Sequence, residues 1–427
     1  MAERSTGGMD MMRMASGTRL IVTAMGMTSA GAVQAQMRDP TGSTFGTAGR
    51  KVQIEVSGDV LYDTNLTGGR GTVASARGLE KEDVRFSPGV DLDIAVPVAS
   101  AVVTLAGSLN YDFYARNTQL NRERINLLGA AGTRVAICDL SVSSGVNRRQ
   151  SDQADLSIVP GDPQSSSVNA QTVFSVGGTV TCGQSIGIRP TAYVRYTTTD
   201  NSDPDRRVSN AETLIYGGGL SYTSPAFGVL TAFVGRTEYR FPNRAGRANI
   251  AGIDRLSGTQ FGASLDRRLG ARLQVNGEVS YLAANAPFGL GKEASGFNWD
   301  VGAALLLGPR ARLTANVSSM LDVTTNFNTN FGRTKFYGAQ LQYVLTPLIR
   351  LTTGVSRRER ELDNIFLLAP TAAITGDRLD EASATLRYMR GTRLSFLLGA
   401  AYRKRTADNP IYDFEGLRGS FGVKLRL

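Results

Sequence analysis

The chain has 427 residues, a formal net charge of +10 and no histidine, and its mean hydropathy is -0.13. Without histidine, Ser-His-Asp and Cys-His nucleophile pairs and His-ligated zinc or haem are excluded, so we predict no enzyme activity and no cofactor. The basic residues are scattered singly at alternate positions, a pattern that argues against a nucleic-acid-binding tail.

The N-terminal residues 1–35 have the features of a secretory signal peptide. Arg13 and Arg19 precede an apolar stretch at 20–33, and small residues up to Ala35 form a cleavage site. Residues 36–50 are mostly polar and small, and we expect them to form a disordered periplasmic lead-in. A single domain, an outer-membrane β-barrel, is predicted for 51–427.

From residue 51 the chain alternates apolar and polar side chains in segments long enough to cross a membrane as strands. The predicted strands are 51–65, 84–96, 98–116, 120–131, 134–149, 167–181, 184–199, 209–223, 227–241, 255–267, 270–284, 296–306, 310–323, 333–345, 348–361, 379–389, 392–406 and 413–427. About 18 such segments predict an all-β fold, a transmembrane antiparallel up-and-down β-barrel in the outer membrane of a Gram-negative bacterium. For 413–427 an ordinary sandwich edge strand is the alternative.

Short and long connections alternate along the chain. Short turns are predicted at Pro97, Gly132, Gly183, Pro225, Gly270, Pro309, Pro347 and Gly391. The connections between them are longer and polar, as in 151–166 and 243–254. Because outer-membrane barrels have short periplasmic turns and longer extracellular loops, we expect both ends of the barrel domain in the periplasm.

The first strand carries a resemblance to a known family. Residues 58–65 read Gly-Asp-Val-Leu-Tyr-Asp-Thr-Asn and are followed by a glycine-rich loop. This run resembles the opening strand of the beta-barrel porin 2 family, whose members often accompany exopolysaccharide export systems. The resemblance implies a barrel that passes acidic exopolysaccharide with periplasmic export components as partners, and it implies no catalytic residues.

The polar face of each strand predicts the lining of the barrel. In 227–241, Val229 and Phe233 share one face while Arg236 and Arg240 share the other. Charge on a lipid face costs about 2–4 kcal/mol near the midplane, so the charged face is predicted to look inward. The same sorting predicts the pore-lining residues Arg189, Arg195, Arg236, Arg240, Arg272, Arg312, Arg350, Arg358, Arg360, Arg387, Arg403 and Arg405, with Arg418, Lys424 and Arg426 also inward.

Inward carboxylates are fewer, with Asp91, Asp93, Asp112, Asp139, Glu278, Asp300 and Glu381 the clear ones. A net basic wall favours anions. We therefore predict a conduit for acidic exopolysaccharide or another anionic solute, surrounded by outer-membrane lipid. The alternatives are a general small-anion diffusion porin and a structural or adhesion barrel whose lumen is plugged. A lumen filled by ion pairs between these arginines and carboxylates is also compatible with the sequence. An extracellular loop that folds into the lumen and constricts it would help to distinguish the exopolysaccharide conduit from the small-anion porin.

Two further groups fall on the predicted lipid face. Aromatic residues near strand ends predict interface girdles, and they are Tyr62, Tyr111, Phe113, Tyr239, Phe241, Trp299 and Tyr402. Cys138 and Cys182 lie near the periplasmic turns of adjacent predicted strands. Both a disulfide and a pair of free thiols are compatible with the sequence.

Overall fold

The structure, a computed structural model, describes residues 50–69, 74, 78–151, 168–243, 255–285, 294–323, 329–364 and 374–427. The predicted signal peptide, and the predicted lead-in apart from residue 50, lie outside these ranges. Among the described residues, no helix has both the length and the apolar character needed to cross a membrane.

Alternation of side chains along the chain produces strands, as predicted. Their bounds are β1 (Lys51–Asp63), β2 (Asp83–Val98), β3 (Ala101–Tyr114), β4 (Arg122–Val135), β5 (Cys138–Gln150), β6 (Ala170–Cys182), β7 (Gly187–Asn201), β8 (Ala211–Ser224), β9 (Gly228–Arg240), β10 (Arg255–Leu269), β11 (Leu273–Asn285), β12 (Ala294–Leu306), β13 (Ala311–Val323), β14 (Thr329–Thr346), β15 (Ile349–Asn364), β16 (Gly376–Arg390), β17 (Leu394–Ala407) and β18 (Phe414–Arg426). The described parts of the connections contain three short 3-10 turns, Thr118–Leu120, Asp205–Ser209 and Pro410–Tyr412.

The strands form one closed ring. Each pairs antiparallel with its neighbour in the chain, and β18 returns to pair with β1 from Glu55–Arg426 to Asp63–Arg418. Because the ring is closed, each strand has a paired neighbour on both sides, and its backbone groups find partners along most of the wall. The predicted 18-stranded up-and-down barrel is confirmed.

Two predicted turn positions lie inside strands instead. Gly132 pairs with Ser141 in the ladder of β4 with β5, and the chain turns four residues later at Ala136, which has φ 53°. Pro97 pairs with Val102, and the turn there falls at Ala99, with φ 52°. A glycine or a proline weakens a strand without ending it when the cross-strand register continues past it.

The two faces of the wall differ in chemistry. On β1 the valines at 52, 56 and 60 are 53%, 43% and 38% exposed on the outside, while alternate positions carry polar and charged side chains toward the lumen. Large apolar side chains are exposed in the same way around the whole ring. Water would strongly disfavour an apolar surface of this extent, and lipid accepts it. The protein is therefore an outer-membrane barrel.

An apolar cluster lies at the extracellular end of the inner wall, where Phe241, Leu256 and Leu282 pack with Leu321 and Phe331. The ladder between β12 and β13 ends at Trp299–Ser319, although both strands continue. Beyond that pair the Asn298 side chain takes over, accepting from the Leu321 amide at 2.7 Å and donating to its carbonyl at 3.3 Å. The end of the β13–β14 hairpin consequently bends over the inner wall of β9–β12.

Candidate functional site

The inner face of β13–β17 carries a concentration of arginines, which we call the basic arc. Its members are Arg312, Arg350, Arg358, Arg360, Arg387, Arg403 and Arg405. Each alternates with outward residues such as Val355 and Leu398, which are 61% and 59% exposed. All seven were predicted as pore-lining, and the register brings them together in two tiers.

The upper tier, Arg358, Arg360, Arg403 and Arg405, lies toward the extracellular end. Arg360 holds Asp377 with two bonds, from Nε at 2.7 Å and from a terminal nitrogen at 2.8 Å. Arg405 approaches the same carboxylate at 3.3 Å, and the Asp377 side chain is only 1% exposed. The tier is thus tightly built around one buried carboxylate.

Two further contacts complete the upper tier. Arg403 lies 3.7 Å from Glu381. The Phe414 ring lies under Arg403 and Arg405, with guanidinium carbons 5.6 and 5.0 Å from its centre. Cations over an aromatic face are stabilised without loss of charge. The described contacts of the upper tier therefore combine two carboxylates, Asp377 and Glu381, with one aromatic ring.

The lower tier, Arg312, Arg350 and Arg387, lies toward the periplasmic turns. Arg350 and Arg387 are direct cross-strand neighbours, and Arg387 donates to the Ser395 hydroxyl at 3.3 Å. Within the described part of the chain, no carboxylate lies within ion-pair distance of these three arginines. All three side chains are half-buried. The lower tier therefore presents uncompensated positive charge to the lumen.

Small hydroxyl side chains separate the two tiers. Thr352 and Ser356 on β15, with Ser383 and Thr385 on β16, occupy the inward positions between them. From Arg350 to Arg358 is about 26 Å at the usual rise of about 3.3 Å per residue. An anion moving along this wall would pass from one basic tier to the other across neutral hydrogen-bond donors.

A second part of the wall is also rich in charge but pairs it. We call the inner face of β18 and β1–β4 the paired sector. Its ion pairs are Arg418–Asp63 at 2.7 Å, Lys424–Asp91 at 2.7 Å, Arg426–Glu55 at 3.2 Å, Arg124–Asp112 at 3.2 Å, Arg85–Asp112 at 3.6 Å and Lys51–Asp93. Five of these pairs join adjacent strands, and Lys424 reaches Asp91 across β1. The carboxylate in each pair cancels most of the field of its cation.

The remaining predicted lining residues lie elsewhere. Arg189 contacts Asp139, which also lies 3.7 Å from Arg134. Arg195 is inward on β7 opposite Ile215. Arg272 lies in the exposed turn between β10 and β11, at the rim rather than on the wall.

The prediction that Arg236 and Arg240 line the pore is wrong. Arg236 pairs with Tyr216, which shares the outer face with Val194 and Val234, 51% and 55% exposed. The face with Phe233 and Tyr239 looks inward instead. Both faces of β9 carry apolar residues, so alternation alone gave no unique orientation, and the pairing with β8 decides it.

The same inversion corrects two aromatic predictions. Tyr239 and Phe241 do not belong to a lipid-facing girdle, because Phe241 is fully buried in the inner apolar cluster and Tyr239 packs against that cluster. The other predicted girdle residues are exposed on the outside, at 37–45%. They are Tyr62, Tyr111, Phe113, Trp299 and Tyr402.

Cys138 and Cys182 are direct cross-strand partners on β5 and β6 and form a disulfide in the structure. They share the outer face with Leu140 and Val142. Within the described residues, no group of three or more Cys, Asp or Glu side chains is placed to hold a metal ion.

Sequence reasoning missed several inward arginines, among them Arg85, Arg124 and Arg134. Arg85 precedes the apolar Phe86, and Arg124 precedes the apolar Ile125. This alternation could have identified both arginines as inward. Their carboxylate partners could not be read in the same way, since those depend on the stagger between strands.

No family model matches the chain, and neither does any curated protein. The resemblance of residues 58–65 to the beta-barrel porin 2 family therefore stands on that segment alone. Several solved structures are similar to the chain. OccK2 (OpdF) of Pseudomonas aeruginosa is 12% identical with a TM-score of 0.45, covering 88% of this chain and 98% of its own.

A BenF-like porin from Pseudomonas fluorescens is 12% identical with a TM-score of 0.47, covering 88% of this chain and 99% of its own. The siderophore receptor PirA from Acinetobacter baumannii is 8% identical with a TM-score of 0.43, covering 89% of this chain and 81% of that one. At these identities and TM-scores we draw no conclusion from the likeness about this chain's solute.

Proposed function

We propose that this barrel is a diffusion channel for small organic anions, which cross the outer membrane along the basic arc. The observation that carries the proposal is the lower tier, where Arg312, Arg350 and Arg387 face the lumen without a described carboxylate partner. Fixed positive charge on a polar wall lowers the energy of an anion and raises that of a cation.

The size of the solute is argued from the extracellular end. Leu321 and Phe331 bring the end of the β13–β14 hairpin onto the inner wall at Phe241 and Leu282, which takes space from the mouth. A narrowed mouth favours small solutes over a polymer. Acidic exopolysaccharide, the solute that the first strand's resemblance implies, becomes the alternative, and periplasmic export components would be its partners.

Solute flux into proteoliposomes tests the proposal. A small monocarboxylate should enter faster than an uncharged solute of the same size, and an acidic oligosaccharide should be excluded. Replacing Arg312, Arg350 and Arg387 together by Gln should lower the ratio of the carboxylate entry rate to the neutral-solute entry rate about fivefold. This factor corresponds to about 1 kcal/mol of lost electrostatic attraction between the wall and the anion. The matched control is K424Q with D91N, which removes one complete ion pair.

Two results would overturn the proposal. Equal entry of the carboxylate and the neutral solute in the native barrel would show that the arc does not select charge. Ready entry of the acidic oligosaccharide would instead favour the export alternative.

A further inference from the structure

The barrel wall has a break between β12 and β13 above the Trp299–Ser319 pair, and we call this break the seam. The ladder between the two strands ends at that pair, yet β12 goes on pairing with β11, and β13 with β14, toward the extracellular end. Along the seam each of the two strands therefore has a strand partner on one side only. In a membrane-spanning wall such an edge is costly unless other groups satisfy it.

Two side chains satisfy part of the seam. Asn298 bonds to the backbone amide and carbonyl of Leu321. Arg333 donates from one terminal nitrogen to the Phe297 carbonyl and to the Ser319 hydroxyl, both at 3.1 Å. Parting a strand ladder breaks a whole row of backbone hydrogen bonds, whereas rotation of these two side chains releases the bonds described at the seam. The seam can therefore open while the ladders on either side of it stay intact.

The end of the β13–β14 hairpin has crossed from the outer row of the wall to its inner side. If the ladder continued past its last pair, Leu321 would lie opposite Phe297, which is outward and 65% exposed. Leu321 is instead 8% exposed and packs, together with Phe331, in the inner apolar cluster beside Leu282. Because lipid also accepts apolar side chains, the hairpin end has two suitable environments, one on the inner wall and one within the wall.

Apolar surface lies on both sides of the seam. On the lumen side it is formed by residues of the inner cluster such as Phe241 and Leu282. On the lipid side, the rings of Phe261, Tyr281 and Phe297 follow one another with 5.5 and 5.3 Å between neighbouring centres, and they line a depression of about 560 Å³. An apolar molecule that passed through the seam would therefore leave one apolar surface for another.

We propose that the seam is a lateral portal for small uncharged apolar molecules, which enter at the extracellular mouth and leave between β12 and β13 into the outer leaflet. Such a molecule takes the place of Leu321 and Phe331 on the inner cluster, and the released hairpin end moves toward the wall. The lumen below offers a charged, polar wall, and transfer of apolar surface from water to lipid is favourable. The lateral exit is therefore the favoured route for this class of solute.

Cysteine pairs in the wall test the portal. N298C with L321C places thiols on the two sides of the seam, within reach of each other because the Asn298 side chain bonds to the backbone of Leu321. V301C with V317C joins direct cross-strand partners in the intact part of the same ladder and is the matched control. Mass spectrometry establishes that each pair is oxidised, and heat-modifiable gel migration establishes that each variant is folded.

The full-length variants would be produced with C138S and C182S, which removes the chain's two native cysteines, in a Gram-negative host that lacks its own major porins. Entry is followed with N-phenylnaphthylamine, an uncharged probe that fluoresces in membranes and that an intact lipopolysaccharide leaflet excludes. With the seam pair reduced, the probe should enter faster than in cells without the barrel. Oxidation of the seam pair should lower entry to the level of those cells, whereas oxidation of the control pair should leave entry unchanged.

A second variant tests the portal without thiols. N298A removes both bonds to Leu321 and should raise the entry rate of the probe about fivefold, the factor that corresponds to about 1 kcal/mol of lost hydrogen bonding. The matched control is N316A, which removes the side-chain bonds that Asn316 makes to Asp300 and to the Val301 carbonyl within the intact ladder. This control should leave the entry rate unchanged.

Entry that persists after the seam pair is oxidised would overturn the proposal, because the probe would then cross elsewhere. A native barrel that admits the probe no faster than cells without it would also overturn the proposal, as would equal entry rates for N298A and N316A. The portal does not depend on which solute passes through the lumen, so its failure would leave the proposed anion channel in place.

Discussion

The basic arc and the paired sector both carry basic side chains on the inner wall. They differ in the cross-strand partners of those side chains. In the paired sector, Arg418 and Arg426 of β18 meet Asp63 and Glu55 of β1 directly in register. In the lower tier of the arc, Arg350 meets Arg387. The register between strands, rather than the number of arginines, therefore decides whether lumen charge is available to a solute.

The largest expected effect comes from breaking the ion cluster of the upper tier. D377N removes the carboxylate that Arg360 and Arg405 both contact, and the side chains of these two arginines are 14% and 4% exposed. Removing one partner of a buried ion pair costs about 3–5 kcal/mol. Urea unfolding of the folded barrel should show a loss of this size.

The matched variant in the paired sector is D93N, which removes the partner of Lys51. The Lys51 side chain is 49% exposed, and pairs of that kind contribute about 0–1 kcal/mol. Equal losses for D377N and D93N would show that burial does not distinguish the two regions.

The disulfide on the outer face of β5–β6 provides a covalent reference for these ionic contacts. It joins residues separated by 44 positions. Replacing both cysteines by Ser should destabilise the barrel by about 2–4 kcal/mol through the freed unfolded chain. Mass spectrometry of unreduced protein should find a mass lower by two hydrogens than that of the reduced chain. Two alkylatable thiols in the native protein would contradict the bridge.

The smallest effect is expected at the extracellular rim, where Glu82 accepts from the Tyr62 hydroxyl at 2.8 Å and from Arg116 at 3.1 Å. The bond from Tyr62 and then the Arg116 contact hold the pKa of Glu82 below its ordinary value. A depressed carboxyl pKa means that the ionised form contributes stability above its unfolded pKa, and that this contribution is lost as the pH falls through the folded pKa.

Acidification to about pH 3 should therefore lower the thermal midpoint slightly more in the native barrel than in E82Q. Tryptic cleavage of the neighbouring loop, followed against pH, gives a local readout. Identical pH profiles for the two proteins would show that Glu82 carries no such contribution.

Much of the fold was accessible from the sequence. Period-2 alternation gave the strand number and most inward positions, because each face of a barrel strand has a single environment. It failed on β9, where Leu230 and Val234 on one face compete with Phe233 and Tyr239 on the other. On β9 the apolar inner cluster makes both faces apolar, and the prediction depends on a difference in polarity between the two faces.

The candidate site was only partly accessible. Alternation found the seven arginines of the basic arc, but their division into a compensated and an uncompensated tier depends on cross-strand stagger. A shift of two residues preserves every face and changes every partner. The bend of the β13–β14 hairpin, made by Asn298 replacing ladder bonds at Leu321, also had no signal in the strand pattern.

The reversal potential of single channels in a planar bilayer under a potassium chloride gradient tests the central claim most directly. The native barrel should prefer chloride at low salt, and the preference should fade as salt rises, because the Debye length is only about 10 Å at 0.1 M. Replacing Arg312, Arg350 and Arg387 by Gln should abolish most of the preference, whereas E55Q with R426Q should leave it nearly unchanged. A native channel that prefers potassium at low salt, or equal losses in the two variants, would contradict the account.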